Sequence, residues 1–309
     1  MRVPQRVEIG AETWNQFCDA HPGAWWWWRS EWLDYQVARG AQDLSFGILD
    51  ADRLVAICPL LLEKREGVRS FTMEGHPGPA PTYLWDNQPG WQVTSSTLLM
   101  DRIWKLASEH RINRAAFRWP PFPGVLFSVQ VEHCQDISWH TQVLDLTQSE
   151  AVLHAGLRKS YQALINAANH SHEIVVDDTG ALLGPFRELH TAKSGRETRP
   201  VKTWLMQADW CKQGNGLIVA ATFGGVWDAF SYWLIYKGCA YYASSTSLNR
   251  NVMHALVWRA ILELKARGVE RLEMGWLDSP GDPLGLGVFK AGCGGEAVPV
   301  IAVERRFDR

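Results

Sequence analysis

Several residues in the second half of the chain have the types and spacing needed to bind an anion. Arg158, Lys159 and Tyr161 lie close together on one face of a long predicted helix, and two adjacent cations are suited to bind a diphosphate. Asn251 belongs to an Asn-rich turn between a predicted strand and a predicted helix. A helix N-terminus presents unpaired N–H groups, so this turn can also hold an anion. Each feature has an ordinary alternative. The helix residues can form an exposed basic face without a ligand, and the turn can bind nothing.

A polar loop at residues 194–200 combines cations with a carboxylate. Arg196 and Arg199 carry planar guanidinium groups that can form paired hydrogen bonds to phosphate, and Glu197 between them is a candidate general base. Together with Lys202 these residues have a net charge of +2. The alternative is a polar loop whose charges pair with one another.

The end of a predicted strand supplies hydroxyl groups. Ser244 and Ser245 can donate hydrogen bonds to a substrate there, although Ser is also an ordinary turn residue. Tyr241 and Tyr242 precede them. Because successive side chains of a strand point to opposite faces, we expect one tyrosine to face the core and the other to face the site.

The charge of the chain is unevenly distributed. Residues 1–150 carry 13 Lys and Arg against 18 Asp and Glu, whereas residues 151–309 carry 18 against 15. The first half therefore has a net charge of −5 and the second of +3, which favours an anionic ligand in the second half. The total of −2 for 309 residues is too small to indicate general nucleic-acid binding, so DNA is not an expected partner.

Other classes of protein lack support in the sequence. The N-terminus has no apolar signal core, and no apolar run reaches the roughly 18 residues that a membrane span requires. The six cysteines are far apart, which favours reduced thiols and a cytoplasmic location. The histidines lack carboxylates at metal-ligand spacing, and neither a GxSxG motif nor a dinucleotide fingerprint is present, so we expect no metal.

The apolar pattern predicts the helices and strands that position these residues. Together they indicate an α/β fold class, with mixed sheets of the α+β type. Strands are predicted at residues 7–9, 44–49, 54–63, 68–73, 115–119, 142–146, 173–177, 217–223, 227–236, 239–244 and 271–275. Helices are predicted at residues 12–21, 31–39, 95–110, 149–171, 182–193, 201–213 and 252–267. Four adjacent tryptophans at residues 25–28 cannot all face one core, so we expect one or two to line a surface.

The sequence also contains a diverged internal repeat. Residues 102–119 (RIWKLASEHRINRAAFRW) align without a gap with residues 259–276 (RAILELKARGVERLEMGW). Each copy precedes a segment rich in Pro and Gly. The repeat predicts two units, residues 1–148 and 149–309, joined by the long helix at residues 149–171.

The motifs of the second half together resemble the FemAB-type branch of the GNAT acyltransferase superfamily. Four stretches carry the resemblance, and they lie in the family's order between about residues 155 and 300: LRKSYQALINAANHSHEIVV, FRELHTAKSGRETRP, YYASSTSLNRNVMHALVWRAI and LEMGW followed by GLGVFKAGCGGEAVPV. The resemblance implies two tandem GNAT-like domains, the first degenerate and the second carrying acyl transfer to an amine. It implies an acyl donor that is either acyl-CoA, such as acetyl-CoA, or aminoacyl-tRNA.

The resemblance also implies roles for residues in the site. Lys290 of the Phe-Lys pair stands where the family's lysine contacts a phosphate or the reacting terminus, with Phe289 beside it. We expect Lys290, Glu197 and Tyr242 to be catalytic, and the remaining candidates to bind substrate: Arg158, Lys159, Tyr161, Arg196, Arg199, Ser244, Ser245, Asn251 and Phe289. The alternative for Lys290 is a solvated surface lysine. In the family's fold a splayed strand supplies backbone N–H groups to the oxyanion.

Three functions remain open from the sequence. The first is an N-acyltransferase that uses acyl-CoA and acts on an amine of a sugar, nucleotide-sugar or other small metabolite. The second is an aminoacyl-tRNA-dependent transferase of cell-wall peptidoglycan precursors, for which tRNA is a partner. The third is a non-catalytic GNAT-like binding protein. We favour the first because no inserted coiled-coil arm is visible, although residues 247–251 (SLNRN) replace the superfamily's glycine-rich pyrophosphate loop.

Overall fold

The fold was derived from a computed structural model, which describes residues 1–83, 91–121, 134–249, 251–277 and 285–307. The chain divides into two compact units. The first comprises Met1–Trp139 together with Val300–Arg309, and the second comprises His140–Pro299. The Pro/Gly segments predicted to follow the two repeat copies lie largely outside the described residues.

The first unit combines short helices at its N-terminus with strands and one long helix. Its helices are α1 Arg6–Ile9, α2 Ala11–Ala20, a 3₁₀ turn Trp26–Trp28, α3 Ser30–Ala38 and α4 Trp91–Glu109. Its strands up to the unit boundary are β1 Gln42–Asp43, β2 Phe46–Asp50, β3 Arg53–Cys58, β4 Leu61–Arg65, β5 Val68–Phe71, β6 Gly78–Pro79, β7 Thr82–Tyr83, β8 Arg114–Arg118 and β9 Gln135–Asp136.

The second unit is built on one mixed sheet with helices on both faces. Its strands are β10 Trp139–Asp145, β11 Glu173–Asp177, β12 Gly216–Phe223, β13 Val226–Tyr236, β14 Cys239–Ser247, β15 Arg271–Trp276 and β16 Glu296–Val300. Its helices are α5 Glu150–Gly156, α6 Lys159–Ser171, α7 Leu183–Ser194, α8 Val201–Lys212, α9 Val252–Ala266 and α10 Leu286–Ala291. The chain then returns to the first unit as β17 Ala302–Arg306.

The sheets confirm the predicted mixed α/β class. Among the described residues the first unit has one sheet in the order β1-β4-β5-β8-β17-β9, with β6 also paired to β8, and a smaller sheet β2-β3-β7. The sheet of the second unit runs β11-β12-β13-β14-β15-β10-β16. Within it β11 to β14 are antiparallel neighbours, and β14 and β15 are parallel.

Alternation along β12 and β13 explains why both faces of the second sheet are covered. Leu217, Val219 and Trp233 belong to the apolar core that also contains the buried residues of α9. On the opposite face, the Phe230 ring stacks on Phe186 of α7, and the Tyr232 hydroxyl donates to a backbone carbonyl of α8. Strands buried on both faces read as continuous apolar runs, which is how these two appear in the sequence.

The unit boundary differs from the one predicted at residues 148 and 149. β10 pairs with β15 and therefore belongs to the second sheet, although it precedes the predicted boundary. β17 pairs with β8 and β9 and therefore belongs to the first sheet, although it ends the chain. Both differences arise because strand pairing joins segments that are distant in sequence.

The two copies of the internal repeat adopt the same order of elements. In the first, the end of α4 leads into β8, which pairs in parallel with β5. In the second, α9 leads into β15, which pairs in parallel with β14. Each copy therefore supplies the helix and the second strand of a unit in which two parallel strands flank a helix.

Three predicted elements were wrong. Residues 7–9 lie in α1 rather than a strand, because the Glu8 carboxylate accepts from the Gln5 backbone N–H and caps a helical turn. The predicted strand at 54–63 divides into β3 and β4, which belong to different sheets. Pro59 stands between them and cannot donate to a ladder.

The third is the long helix at 149–171, which breaks into α5 and α6. Leu157 and Arg158 have extended backbone conformations at the break. The Arg158 N–H leaves the helical ladder and donates to the Gly292 carbonyl at 2.9 Å. A contact between residues so far apart in sequence gives no local signal.

The tryptophan run at residues 25–28 is entirely buried, which corrects the expectation that one or two of these residues line a surface. Their exposures are 3%, 0%, 5% and 1%. In a 3₁₀ turn successive side chains point about 120° apart, so the rings reach different parts of the surrounding core. The Trp28 indole N–H, for example, donates to the Ala80 carbonyl at 2.9 Å.

Candidate functional site

The second sheet contains an opening between two neighbouring strands. β14 and β15 pair in parallel only where residues 239–241 face residues 271–273. β14 then continues to Ser247 and β15 to Trp276, without further pairing between them in the described register. Beyond Tyr241 the facing edges of the two strands are thus not paired with each other in the described register.

A β-bulge lies on β14 at the beginning of this opening. Tyr232 of β13 faces Ser244 and Trp233 faces Tyr242, so Ala243 has no partner residue on β13. A bulge leaves the extra residue out of the ladder and turns its backbone groups aside. The backbone N–H groups around Ala243 can therefore meet an oxygen atom placed in the opening.

The side chains that follow the bulge are polar. The Ser244 Oγ is buried and has no hydrogen-bond partner among the described residues. The Ser245 hydroxyl accepts a hydrogen bond of 2.6 Å from Tyr242. Ser244 is therefore the better placed of the two predicted serines to donate to a ligand.

The two tyrosines of β14 take opposite faces, as their alternation predicts. The Tyr242 ring packs against Trp233 in the core, and burial raises the pKa of its phenol, with the Ser245 hydrogen bond opposing the shift. Tyr241 points to the other face, where its hydroxyl lies 3.1 Å from the position that a Cβ on Gly275 would occupy. The structure thus places Tyr241, rather than the predicted Tyr242, towards β15.

Lys290 reaches the same point from α10. Its Nζ lies 3.4 Å from that Cβ position on Gly275 and donates to the Trp276 carbonyl at 2.9 Å. Gly275 has φ +83°, a conformation that L-residues with a side chain rarely adopt. Glycine at position 275 therefore leaves room for both the Tyr241 hydroxyl and the Lys290 ammonium beside β15.

An aromatic cluster surrounds the base of α10. The Tyr161 ring lies 4.2 Å from His254 and 6.1 Å from Phe289, measured between ring centroids, and His254 lies 5.2 Å from Phe289. The Arg158 guanidinium lies over Tyr161 at 5.4 Å. A Cβ on Gly292 would lie 2.4 Å from the Tyr161 ring, so glycine allows this close approach.

Burial sets the electrostatics of the cluster. It raises the pKa of the Tyr161 phenol, an effect that Arg158 opposes, and raises the pKa of the adjacent Cys293 thiol to about 12. Burial lowers the pKa of His254, whose Nδ1 lies 2.9 Å from the Asn251 carbonyl. A carbonyl accepts only from a protonated nitrogen, so the neutral ring carries its proton on Nδ1.

The predicted polar loop at residues 194–200 has its described contacts on α7 and α8. Glu197 forms an exposed ion pair with Arg187 at 2.7 Å, and the Arg199 guanidinium stacks on Trp204 at 3.6 Å. Burial, and secondarily Arg199, lowers the pKa of His190. Arg196 is exposed. These contacts join the loop to its flanking helices rather than pairing its charges with one another, and substrate roles for Arg196, Arg199 and Glu197 stay predictions.

The structure brings a subset of the predicted site residues together. Contacts link Arg158, Tyr161, Phe289 and, through His254, the backbone of Asn251. Lys159 is the first residue of α6 and is exposed. Sequence reasoning missed His254 and selected Tyr242 as the catalytic tyrosine, whereas Tyr241 is the one that lies beside Gly275.

The described residues include neither a cluster of metal ligands nor a membrane-spanning helix. They contain no group of three or more His, Cys, Asp and Glu side chains arranged to hold a metal ion. Within the same ranges, no helix combines the length and the apolar character needed to cross a bilayer.

Solved structures with the same arrangement of elements include acyltransferases of the predicted type. FemX has a TM-score of 0.71 at 10% identity, covering 99% of this chain and 98% of its own. L-PGS from Bacillus licheniformis has a TM-score of 0.62 at 12% identity, covering 98% and 93%. A tandem GNAT protein from the clavulanic acid biosynthesis pathway has a TM-score of 0.50 at 14% identity, covering 89% and 94%.

These similarities confirm the predicted fold, which FemX and a tandem GNAT protein share with this chain. No protein-family model matches the sequence, and neither does any of the curated proteins compared with it. At identities of 10–14% the likeness establishes architecture, so the activity must be argued from the site itself.

Proposed function

We propose that this protein is an N-acyltransferase that transfers an acyl group from acyl-CoA to an amine of a sugar, nucleotide-sugar or other small metabolite. The observation that carries the proposal is the opening between β14 and β15 with a bulge at Ala243. A thioester lying along β14 would present its carbonyl to backbone N–H groups there. No metal and no nucleophilic side chain is required for such a reaction.

The bulge would stabilise the charge that develops during transfer. The lone pair of a neutral amine attacks the thioester carbonyl, and the carbonyl oxygen becomes negative. N–H groups held in place beforehand stabilise that oxygen without reorganisation, an effect of about 2.7–4 kcal/mol per donor in other enzymes. Collapse of the tetrahedral intermediate expels the thiolate, which takes a proton from the Tyr241 hydroxyl, and the proton of the new ammonium returns to that oxygen through solvent.

Lys290 and Tyr241 supply charge and a proton at the far side of the opening. We assign to the Lys290 ammonium the stabilisation of negative charge on the reacting carbonyl or on the donor. The Tyr241 hydroxyl, like Lys290 Nζ, lies beside Gly275, and we assign to it the protonation of the departing thiolate. The remaining rate enhancement would come from holding the donor and the amine in the reactive orientation.

The basic start of α6 is suited to the phosphates of coenzyme A. Arg158 and Lys159 are both exposed there, and Arg158 is held over Tyr161. Tyr161 in turn contacts Phe289, the neighbour of Lys290. This chain of contacts links the predicted phosphate site to the predicted reacting site within one unit.

The second candidate is an aminoacyl-tRNA-dependent transferase of cell-wall peptidoglycan precursors. It is supported by the higher TM-score with FemX, 0.71, than with the tandem GNAT protein, 0.50. Against it stands the loop at residues 194–200, where Glu197 and Arg199 have partners on α7 and α8. A tRNA backbone would require the cations of this loop, Arg196 and Arg199, to face outwards as one surface.

A turnover assay distinguishes these candidates and tests the proposed site. Purified protein is incubated with acetyl-CoA and a panel of amines, and the release of free thiol is measured together with the mass of the acylated amine. Lys290→Ala should lower kcat/KM by about 100-fold or more. Lys212→Ala is the control, because Lys212 is exposed on α8 and pairs only with Asp209 among its described contacts.

Equal turnover of the Lys290 and Lys212 variants would remove Lys290 from the site. Turnover with aminoacyl-tRNA and none with acetyl-CoA would establish the second candidate. An absence of turnover with either donor would support the non-catalytic binding protein.

A further inference from the structure

Three large apolar side chains are exposed together at one end of the second sheet. Phe223 ends β12 and Val226 begins β13, and they face each other across the Gly224-Gly225 turn. Leu248 follows the last residue of β14. Their exposures are 61%, 67% and 55%. Single exposed apolar residues are common, but a group at the tip of adjacent strands needs an explanation.

The tip is held in a fixed position. The Phe223 ring lies 5.3 Å from His172, and His172 Nε2 lies 3.1 Å from the Asp228 carboxylate. The Asp228 carbonyl accepts a hydrogen bond of 2.8 Å from the Leu248 N–H. His172 and Asp228 thus join the ends of β12, β13 and β14, so these contacts hold the backbone from which the apolar side chains project.

The two segments that carry the apolar side chains of the tip are themselves uncharged, with Asp228 and Glu173 beside them. Residues 222–227 (TFGGVW) and 244–249 (SSTSLN) contain no ionisable side chain. A nucleic acid or a charged peptide would find no complementary charge on either segment. Trp227 is half-buried at the base of the tip, and tryptophan is enriched where one end of a side chain is apolar and the other is wet.

We propose that this tip, formed by Phe223, Val226 and Leu248, docks on the surface of a lipid bilayer. A stable protein–protein interface buries about 800 Å² on each partner, and three side chains on a convex hairpin end offer far less. Insertion between lipid headgroups needs no matching concave surface, because apolar side chains enter the acyl boundary directly.

The position of the tip relates it to the strand opening. β14 runs from the bulge at Ala243 to Ser247, immediately before Leu248. A ligand bound along β14 would therefore extend towards the docked surface. This consequence rests on the proposed acyl transfer, and it selects acceptors whose amine is carried by a lipid or a lipid-linked sugar.

Vesicle flotation tests the docking independently of any turnover. Wild-type protein is mixed with phosphatidylcholine vesicles, with and without phosphatidylglycerol, and the fraction that floats is measured at low and high salt. Binding should occur with both compositions and should change little with salt, because the three side chains that would enter the lipid carry no charge. The variant Phe223→Ser/Val226→Ser should bind at least about tenfold more weakly, since two large apolar side chains no longer leave water.

The matched control is Val201→Ser/Leu205→Ser. These two residues of α8 have exposures of 43% and 62% and lie one helical turn apart. The control should float like wild type, and Leu248→Ser provides a second tip variant if the double variant unfolds. Thermal melting of each variant verifies folding.

Absence of flotation by the wild type with every vesicle composition would overturn the proposal. So would equal binding by the tip and control variants, or self-association that depends on Phe223, which would make a second copy of the chain the occupant. A protein that floats yet shows no turnover would retain the docking and refute the proposed function, so the two failures are distinguishable.

Discussion

Substitution of Gly275 by alanine tests whether Tyr241 and Lys290 act at one point. The new Cβ would lie 3.1 Å from the Tyr241 hydroxyl and 3.4 Å from Lys290 Nζ, so the hydroxyl must shift slightly and the ammonium comes into direct contact with the new methyl group. Gly275 also has φ +83°, and alanine in a left-handed conformation costs about 1–2 kcal/mol. Loss of turnover in Gly275→Ala could therefore come from displaced side chains or from backbone strain.

Gly268→Ala separates these two causes. Gly268 has φ +77°, and a Cβ there would meet nothing within 4 Å. Both variants therefore place alanine at a positive φ of similar size, whereas Gly275→Ala alone crowds Tyr241 and Lys290. At about 2–4 °C per kcal/mol for a unit of 150–250 residues, both should lower Tm by roughly 2–8 °C.

Turnover should differ sharply between the two variants. A displacement of about 1 Å at a reacting group can lower the rate by about 100-fold. The shift required here is smaller, so Gly275→Ala should lose about tenfold. Gly268→Ala should stay within about twofold of wild type. The assay is kcat/KM with the best amine at a temperature well below both Tm values. Equal turnover of the two variants at matched folding would refute the assignment of Tyr241 and Lys290 to the reaction.

Three further perturbations test the account. Reversing both charges in Arg158→Glu/Lys159→Glu should weaken donor binding by about tenfold or more at low salt and less at high salt, as measured by titration calorimetry, and equal affinity at low salt would contradict a phosphate role. Gly292→Ala should displace the Tyr161 ring, because the new Cβ would lie 2.4 Å from it, and should lower both Tm and turnover; an unchanged Tm would contradict the packing. Glu304→Gln should lower the free energy of unfolding by about 1–3 kcal/mol at neutral pH, measured by urea denaturation, because hydrogen bonds from two arginines outweigh burial and hold the pKa of this carboxyl below its ordinary value of 4.5. A carboxyl with a depressed pKa in the folded state stabilises above its unfolded pKa, so the difference from wild type should shrink as the pH falls below 4.5; a difference that persists in acid would contradict the ionised pair.

Elements with strong local patterns could be predicted from the sequence. β12, β13 and β14 have apolar and β-branched runs interrupted by glycine turns, and α9 has a helical apolar stripe that ends at Gly268. These signals are local because the spacing of apolar residues within each strand or helix indicates its type. The likeness of the motifs to a known architecture supplied the order of the remaining elements.

Features set by distant contacts could not be predicted. The break between α5 and α6 depends on the hydrogen bond from Arg158 to Gly292, and the bulge at Ala243 depends on register with β13. Neither the helix break nor the bulge has a signal in the local sequence. The buried tryptophan run shows the same limit, because its burial depends on elements from elsewhere in the chain.

The candidate site was predictable in part for the same reason. Lys290, Phe289, Arg158 and Tyr161 stand in recognisable motifs, and the structure brings three of them into one cluster through Tyr161. His254 had no motif of its own, although it lies three residues after Asn251 on the first turn of α9. A residue at that spacing shares a helix face with the turn, which is the signal that could have identified it.

The most direct test of the central claim is a thermal-shift titration with acetyl-CoA. A ligand that binds only the folded state stabilises it by roughly 2.7 kcal/mol at a hundred times its dissociation constant. The account predicts a saturable rise in Tm for the wild type and a much smaller rise, at the same concentrations, for Arg158→Glu/Lys159→Glu. No rise with acetyl-CoA, or an equal rise in the charge-reversed variant, would contradict a thioester donor bound between α6 and the opening of β14 and β15.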